Sequence, residues 1–312
     1  MTYQYTLVDW LLFFYIYCFI GWCIESTFVS VKKKKFVNRG FMRGPFLPLY
    51  GSGAVIMLFA TIPFRNNILL IFLAGGLAAT VLEYITGVCM EALFKVRYWD
   101  YSKQPFNFQG HICLGTSIAW GMLSIALVKI IHSPVEGLVL SLNHTFALAA
   151  AIVLSVFIAC DFILSFKAAL DIRNMLEKMT RAKEELEKMR TRLDAIAAFS
   201  GPGFAPDKTQ KSAINSSSLG ELLENVRERL EGLAQNESVK KNTSQFREEL
   251  ERLKDQYNEQ REKRSDLNRH LGFFRRDLLK GQPTATSRKF KEAYEELKAA
   301  AEEKRKKEKH DK

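Results

Sequence analysis

The stretch ILLIFLAGGLAATVLEYITGVCMEALF, residues 68–94, decides what kind of protein this is. Its only charged residues are Glu83 and Glu91, and it contains no proline. About 20 apolar residues of helix are enough to cross a hydrocarbon core about 30 Å thick. The sequence therefore predicts a transmembrane helix over residues 68–94, and the bilayer sets the fold class of this part of the chain.

Four more apolar stretches surround it in the first half of the chain. They cover residues 7–31, 46–64, 112–131 and 144–166. The second of them has the weakest signal, because Pro45, Pro48 and Pro63 lie at its ends. Neighbouring helices can satisfy the backbone groups that such residues free, so we expect it to cross as well. The predicted fold class is all-α: a polytopic membrane helix bundle of about five transmembrane helices, followed by a cytoplasmic helical and coiled-coil tail.

The basic residues of the short loops are concentrated at one end of the predicted bundle. That end contains Lys32, Lys33, Lys34, Lys35, Arg39, Arg43, Lys95, Arg97, Lys103, Lys167 and Arg173. The connections at the other end contain only Arg65, and Lys129 at the end of a helix. Loops rich in lysine and arginine stay on the cytoplasmic side. We therefore expect a multi-pass protein of the cytoplasmic membrane, with its N-terminus outside, its tail in the cytoplasm and the lipid bilayer as its first partner.

The composition changes after residue 166, from apolar runs to lysine, arginine, glutamate, alanine and leucine. We divide the chain into a transmembrane domain (1–166), a coiled-coil extension of the last span (167–198), a flexible linker (199–217) and a charged cytoplasmic helical region (218–312). The formal net charge is +11, but the tail mixes acidic and basic residues. Such mixed faces are typical of solvated helices. We expect no nucleic-acid partner, and attraction to anionic lipid head groups is the alternative.

The tail carries two heptad patterns. From Ala168 to Ile196 apolar residues alternate spacings of four and three, which predicts a coiled coil that pairs helices within one chain, in a homo-oligomer or with a helical partner. Extended backwards, the same stripe reaches Asp161, which would then face a neighbouring helix. A second run covers residues 246–278 and ends before Gly281.

Four acidic residues lie within the predicted spans or near their ends: Glu25, Glu83, Glu91 and Asp161. Ionisable groups inside a membrane are costly and are therefore candidates for function. All four belong to the midplane or to the cytoplasmic half. One interpretation is a polar path or a catalytic site, and the other is a structural ion pair for each carboxylate. The candidate partners for such pairs are Arg39, Arg43, Arg97 and His111.

Small residues share a helix face with these carboxylates. The face of the third span contains Gly75, Ala79, Glu83, Gly87 and Glu91, four residues apart. Small residues at such positions let another helix approach closely. Gly21 likewise precedes Glu25 by one turn, so we expect both faces to turn into the bundle, with Glu25 and Glu83 pointing inward.

The two basic loops are rich in glycine, proline and aromatic residues, which excludes simple helices there. Interfacial anchoring is one interpretation of the aromatic residues. The other is a cytoplasmic-facing site formed by both loops beside the carboxylates. The candidate residues are Arg39, Gly40, Arg43, Gly44, Pro45, Pro48, Tyr50, Gly51, Trp99, Asp100, Tyr101, Asn107, Gly110 and His111.

These loops and the glutamate spans together resemble a known family. The residues that carry the resemblance are Gly21-Trp22 with Glu25, Asn38-Arg39-Gly40-Phe41, Gly44-Pro45, Pro48, Tyr50-Gly51, Glu83-Tyr84, Trp99-Asp100-Tyr101-Ser102, Pro105-Phe106-Asn107 and Gly110-His111-Ile112-Cys113-Leu114. Over residues 10–135 the chain is similar to the family called putative ABC-transporter type IV membrane proteins. The resemblance implies a bacterial cytoplasmic-membrane protein of the permease kind. It supplies neither a substrate nor catalytic residues.

Three functions remain open on the sequence. The first is a permease-like component, which would need a separate ATPase subunit because the chain has no G-x-x-x-x-G-K-[ST] phosphate loop. The second is a membrane enzyme acting on a lipid head group, with Arg39, Arg43 and Asp100 binding the substrate, although no catalytic constellation is evident. The third is a scaffold or sensor that assembles partners through its tail. We expect neither a metal nor a cofactor, since histidines and cysteines show no ligand spacing.

Overall fold

The computed structural model describes residues 5–199, 223–224, 228, 240–269 and 272–310. Apart from Phe199, the predicted linker (199–217) lies outside the described residues. The helices are α1 (Leu7–Lys33), α2 (Pro48–Thr61), α3 (Ile68–Phe94), α4 (Leu114–Ala126), α5 (His132–Leu140), α6 (His144–Phe199), α7 (Lys240–Arg269), α8 (Phe273–Gly281) and α9 (Lys291–His310). A short hairpin pairs β1 (Asn107–Phe108) antiparallel with β2 (Ile112–Cys113). A 3₁₀ turn (Ile62–Phe64) extends α2, and a π-helical segment (Leu127–Ile131) joins α4 to α5.

Four helices of the described chain are long and apolar enough to cross a membrane. They are α1, α3, the continuous helix Leu114–Leu140 and the first part of α6. The apolar helix Pro48–Phe64 is shorter, with 14 residues in α2 and three in the turn that follows. The membrane helices predicted over 7–31, 68–94, 112–131 and 144–166 are thus confirmed as helices of sufficient length. A fifth crossing by Pro48–Phe64 stays a prediction.

Local chemistry explains where the membrane helices begin and end. Thr6 and Asp9 form a reciprocal capping box at the start of α1, in which Asp9 accepts from the Thr6 N–H at 2.8 Å. Such a box satisfies two backbone donors that a helix N-terminus leaves open. At the other ends of α1 and α3, Lys34 and Lys95 have positive φ angles of 50° and 57°. This left-handed conformation stops the helix and turns the chain into the loops.

The fourth predicted span ends at residue 131, whereas the helix continues to Leu140. The reason is the π-helical segment Leu127–Ile131, where the N–H of His132 donates to the carbonyl of Leu127. Proline inside a helix lacks an N–H and crowds the carbonyl four residues earlier. A single widened turn just before Pro134 relieves that conflict without ending the helix.

Small residues bring α3 against α4, as the sequence pattern predicts. A Cβ atom added at Gly75 would lie 1.7 Å from the Ser124 hydroxyl, and one at Gly76 would lie 3.0 Å from the backbone of Gly121. The predicted stripe is buried at Gly75, Ala79, Glu83 and Gly87. The opposite face of α3 exposes large apolar side chains such as Leu77, 68% exposed, which suits contact with lipid tails.

The described chain forms two compact units, and the predicted division into four segments stays a prediction. One unit contains residues 1–174 and 272–312, and the other contains residues 175–271. The C-terminal segment thus belongs with the membrane helices because it bonds to their loops. Arg97 and Thr286 exchange two backbone hydrogen bonds of 2.7 and 2.9 Å in an isolated β-bridge.

The second unit buries the heptad seam of α6. Met175, Met179, Leu186 and Met189 are buried there, and the same unit buries Leu250, Leu253 and Tyr257 of α7. These side chains are thus buried without a second chain. A coiled coil and a homo-oligomer stay predictions.

Candidate functional site

We call the end of the bundle that carries residues 34–47 and 95–113 the loop end. The two loops meet there around Phe41, whose ring lies 5.5 Å from that of Phe94 and 5.7 Å from that of Tyr98. The predicted candidate residues are all at this end, and the structure sorts them into different roles.

Glu25 is held at the loop end by a tyrosine and an arginine. The Tyr50 hydroxyl donates to its Oε1 at 2.7 Å, and the Arg39 Nε lies 3.8 Å from its Oε2. Gly21, one turn earlier in α1, makes room for Tyr50, since a Cβ there would lie 2.4 Å from the Tyr50 Cβ. Burial lowers the pKa of Arg39 and Glu25 opposes this shift, so the guanidinium stays charged. The predicted pairing of Glu25 with a cation is therefore present, at a long distance.

Glu83 is buried, with 4% of its surface exposed, and its described donors are neutral. The Trp120 Nε1–H donates to Oε2 at 2.9 Å, and the Tyr101 hydroxyl donates to Oε1 at 3.1 Å. Burial and the neighbouring Glu83 raise the pKa of Tyr101, so its phenol stays protonated and remains a donor. Among the described residues Glu83 forms no ion pair, unlike the structural interpretation of the sequence.

A cavity of about 370 Å³ lies between these two carboxylates. Glu25, Glu83 and Arg39 are the charged residues in its lining. The aromatic residues in its lining are Phe41, Tyr50, Phe94, Tyr98, Trp99, Tyr101, Trp120, Phe162 and Phe166. We call this space the aromatic cavity. The expectation that Glu25 and Glu83 point inward is confirmed, because both line it.

The first loop positions the cavity wall rather than supplying further charges to it. The Trp22 Nε1–H donates to Asn38 at 2.6 Å, and the Asn38 side chain donates to the Arg43 carbonyl at 2.5 Å. Gly40 has a φ of 139°, which favours glycine, and lines the cavity. Gly51 packs on α1, since a Cβ there would lie 2.3 Å from the Cys18 sulphur.

Asp161 also has a partner within the first loop. Its Oδ2 accepts the backbone N–H of Gly44 at 2.8 Å. Arg43 and Pro45 lie outside the aromatic cavity, whereas Pro48 lines it at the start of α2. Asp161 therefore fixes the turn that leads into α2, which differs from the predicted orientation toward another helix of the seam.

The second loop is organised by Arg97, which is 4% exposed. Its guanidinium lies 2.8 Å from Glu91, 3.4 Å from Asp100 and 3.0 Å from the Gln109 carbonyl. Glu91 is also 3.1 Å from the Nε2 of His111. Burial and the Arg97 charge lower the pKa of His111, so it is neutral near pH 7 and bonds Glu91 without a full charge. Glu91 thus has the structural role that one interpretation predicted.

The remaining residues of the second loop divide in the same way. Trp99 and Tyr101 line the aromatic cavity, and the Trp99 Nε1–H donates to the His111 carbonyl at 2.9 Å. Burial opposes a lower pKa for Asp100, but hydrogen bonds from Ser102 and the Arg97 charge outweigh it and lower the pKa. Asn107 and Gly110 shape the hairpin, where the Gly110 N–H donates to the Asn107 side chain at 3.2 Å. Through its contacts with Ser102 and Arg97, Asp100 stabilises the second loop.

The lipid-enzyme hypothesis needs Arg39, Arg43 and Asp100 around one substrate. Of the three, Arg39 alone lines the aromatic cavity. Arg43 lies 3.5 Å from Asp277, and Asp100 is engaged by Ser102 and Arg97. These three residues thus do not form a common site in the described structure. The described residues also contain no cluster of three or more histidine, cysteine or acidic side chains that could hold a metal ion.

Sequence reasoning missed Gln282, which lies beyond the end of α8 and lines the aromatic cavity. It is 4% exposed, and Arg39 donates hydrogen bonds to its side-chain oxygen and, at 3.2 Å, to the Gly281 carbonyl. The Ser287 hydroxyl donates to the Lys95 carbonyl at 2.6 Å, which fastens the same segment to the second loop. The sequence signal here, Gly281 before Pro283, indicates a helix end but not what the chain beyond it contacts.

Comparison with known proteins supports the resemblance carried by these motifs. The model of the family described as "Putative ABC-transporter type IV" matches residues 12–166. The match begins near the predicted residue 10 and extends past residue 135 into α6. Comparisons with curated proteins and with solved structures give no match.

Proposed function

Since residues 12–166 belong to the family described as Putative ABC-transporter type IV, we propose that the protein is the permease-like membrane component of a transport system. Its substrate site is the aromatic cavity. The loop end faces the cytoplasm, because the short loops there carry most of the lysines and arginines of the membrane half. The site then opens from the inner half of the bilayer.

The substrate is an amphipathic organic cation. The observation that carries this proposal is Glu83, a buried carboxylate that lines the cavity and whose described partners are neutral donors. An opposite charge nearby favours the ionised form of a buried carboxylate. The lining contains two carboxylates and one arginine, so it favours a positive ligand.

The aromatic walls suit the same ligand. The rings of Tyr50 and Trp120 lie 5.8 Å apart, and their hydroxyl and indole N–H groups orient the two carboxylates. Cations bind over tyrosine and tryptophan faces with about 0.5–2 kcal/mol per contact, more when water is excluded. A lipophilic cation would therefore gain from the carboxylate, from the rings and from burial of its apolar groups.

Energy for transport comes from a separate ATPase subunit, because the chain itself has no phosphate-binding loop. The second loop offers an exposed contact for such a subunit in Phe106, which is 83% exposed at the hairpin. Crosslinking in native membranes from a cysteine at Phe106, followed by identification of the attached protein, tests this part. Attachment of a nucleotide-binding protein supports it, and repeated capture of lipid alone contradicts it.

Binding of tetraphenylphosphonium to the purified chain in lipid nanodiscs tests the cavity. We expect saturable binding that Glu83→Gln weakens by roughly tenfold, the loss of one charge-assisted contact. Glu136→Gln, a carboxylate-to-amide change in α5 outside the cavity lining, is the matched control and should bind as the natural chain does. Binding of tetraphenylborate, which has the same shape and the opposite charge, is measured in parallel to show whether the site prefers a cation.

Two outcomes would contradict the proposal. Equal binding of both ions would show that apolar partitioning alone is measured, and equal binding by the Glu83→Gln and natural chains would remove the carboxylate from the site. Each variant should elute from size-exclusion chromatography at the same volume as the natural chain, which shows that folded proteins are compared.

A further inference from the structure

A second cavity, of about 220 Å³, lies between the first loop, α6 and the C-terminal helices. It shares only Gly40 and Phe41 with the lining of the aromatic cavity. Its charged lining residues are Lys33, Lys35, Arg43, Asp277, Lys280, Lys298 and Glu302. We call it the basic cavity, because five of these residues are cations and two are carboxylates.

Four parts of the chain contribute these cations, because Arg43, like Lys35, belongs to the first loop. Lys33 ends α1 and Lys35 follows it, Lys280 lies in α8, and Lys298 lies in α9. Asp277 pairs with Arg43, so Glu302 is the remaining carboxylate in the lining beside the four lysines. A group of cations from separate elements around one space creates a field that attracts anions.

The Arg43–Asp277 pair forms part of the wall of the cavity. The two side chains are 3.5 Å apart, and the Arg43 guanidinium lies 4.1 Å from the centre of the Phe274 ring. This arrangement ties the first loop to α8 and leaves the lysines to face a ligand. The Lys298 ammonium donates one hydrogen bond, to the Pro283 carbonyl at 2.7 Å, and has two further donors.

A buried hydroxyl independently indicates a polar ligand in the same space. Ser165 of α6 is 2% exposed and lines the cavity, and its Oγ has no hydrogen-bond partner among the described residues. A buried hydroxyl without a partner loses about 1–3 kcal/mol relative to a bonded one. A ligand oxygen that reaches Ser165 would remove that loss.

The position and lining of the cavity fit a phosphate group next to apolar chains. Ser165 lies at the end of the predicted last span, so the cavity is at the level of the membrane surface. Val37, Met42, Leu278 and Leu279 add buried apolar walls. Phosphate oxygens accept hydrogen bonds from ammonium and hydroxyl donors, and lysines near a membrane surface attract anionic lipids.

We infer that the basic cavity binds a phosphate-bearing anion, supplied by the head group of an anionic phospholipid or by free phosphate. The bound anion connects the end of α1, the first loop and both C-terminal helices. It therefore fastens the C-terminal segment to the membrane helices independently of any substrate in the aromatic cavity.

Native mass spectrometry of the full chain tests this site with phosphatidylglycerol and, for comparison, phosphatidylcholine with the same acyl chains. We expect the natural chain to retain phosphatidylglycerol preferentially. Lys35→Gln with Lys280→Gln should weaken retention by roughly tenfold or more. The matched control is Lys103→Gln with Lys291→Gln, which removes the same charge from the second loop and from α9 at exposed positions outside the cavity.

Ser165→Ala separates a built site from general surface attraction, because it leaves the charge unchanged. We expect it to weaken retention by about threefold or more through loss of one hydrogen bond to the anion. Retention that is equal in the natural chain, the cavity double variant and the control double variant would overturn the inference. So would an equal loss in both double variants.

Free phosphate is distinguished by hydrogen exchange in phosphatidylcholine nanodiscs with inorganic phosphate added. Protection of residues 278–281 by phosphate alone, lost in the cavity variant, identifies free phosphate as a source. Protection that requires phosphatidylglycerol in the disc identifies the lipid head group. Absence of protection with either anion would overturn the inference, and tetraphenylphosphonium binding by the same samples reports separately on the aromatic cavity.

Discussion

The polar side chains at the end of the bundle opposite the loops are bonded to one another in a packed cluster, whereas those at the loop end surround a cavity. In the packed cluster His132 is 3% exposed and bonds two tyrosines. The Tyr17 hydroxyl is 2.8 Å from its Nδ1, and the Tyr5 hydroxyl is 3.2 Å from its Nε2. Tyr5 also donates to Glu136, and the Phe13 ring lies 5.1 Å from the imidazole.

At the loop end, carboxylates and tyrosine hydroxyls are also hydrogen-bonded to one another, but the side chains around them enclose a cavity. Glu25 and Glu83 are each oriented by a tyrosine hydroxyl, yet both line about 370 Å³ of cavity. A polar group within a membrane helix therefore does not by itself indicate a binding site. The space around it decides, because a filled cluster fixes helix register and a cavity can admit a ligand.

Replacement of the centre of the packed cluster should have the largest effect. His132→Ala removes the hydrogen-bond partner of the buried Tyr17 hydroxyl and opens a void, which should cost about 2–5 kcal/mol of stability. Thermal unfolding in detergent measures this as a lower Tm. His144→Ala, at the exposed start of α6, is the control and should leave the Tm unchanged. Equal Tm values for the two variants would show that the cluster is not structural.

A matched pair of tyrosine variants sharpens the contrast between the two ends. Tyr17→Phe removes a buried hydrogen bond to His132 and should cost about 1 kcal/mol. Tyr50→Phe removes a bond to Glu25, but water in the cavity can replace it, so the cost should be smaller. Thermal unfolding of both variants under one condition checks the order. A larger loss for Tyr50→Phe would reverse the assignment of packed and open ends.

Gln282→Ala should open the aromatic cavity toward the C-terminal segment, because it removes one hydrogen-bond partner of Arg39 and part of the cavity lining. A cysteine at Thr86, which lines the cavity, then reports access in a chain whose five natural cysteines are replaced. We expect its reaction with a bulky maleimide to accelerate by roughly threefold. Gln104→Ala, at an exposed position of the second loop, is the control. Equal rates in both variants would show that Gln282 does not limit access.

The smallest expected effect is a pH dependence of the second loop. The pKa of His111 is lowered in the folded chain, mainly by burial and by the Arg97 charge. Below the ordinary pKa of about 6.5, the unfolded loop therefore binds more protons than the folded loop. The contribution of neutral His111 to the stability of the loop is present above this pH and is lost as pH falls below it. Hydrogen exchange of residues 107–113 at pH 7 and at lower pH should show this loss. His111→Gln should remove it, and an unchanged pH profile in that variant would assign the effect elsewhere.

The sequence predicts most of the helical architecture because apolar length is a local property. The bounds of α3 coincide with the predicted 68–94, where the Asn67 side chain caps the helix and Lys95 ends it. The helix after Leu114 runs beyond the predicted residue 131, since the polar residues that follow end the apolar run but not the helix. The residue pattern therefore predicts which segments can span a bilayer, but it predicts the exact ends of the helices less well.

The sequence predicts the candidate site in part. Glu25 and Glu83 are identified as inward-facing carboxylates from the glycines that share their helix faces, and both line the aromatic cavity. The same reasoning places Glu91 on that face, and the structure pairs it with Arg97 and His111, two of the candidate partners predicted from the sequence. The sequence does not decide which partner belongs to which carboxylate, because that depends on the path of the second loop.

The residue pattern thus predicts a bundle of membrane helices, the small-residue faces that pack together and the carboxylates that turn inward. These features follow from hydrophobicity and from helical periodicity, which act between near neighbours in the chain. The return of the segment after Gly272 to the loops is visible in the folded chain alone, where Gln282 contacts Arg39 more than 240 positions earlier. Contacts over such a separation depend on shape and on complementary donors, so only the folded chain distinguishes a cavity from a packed cluster.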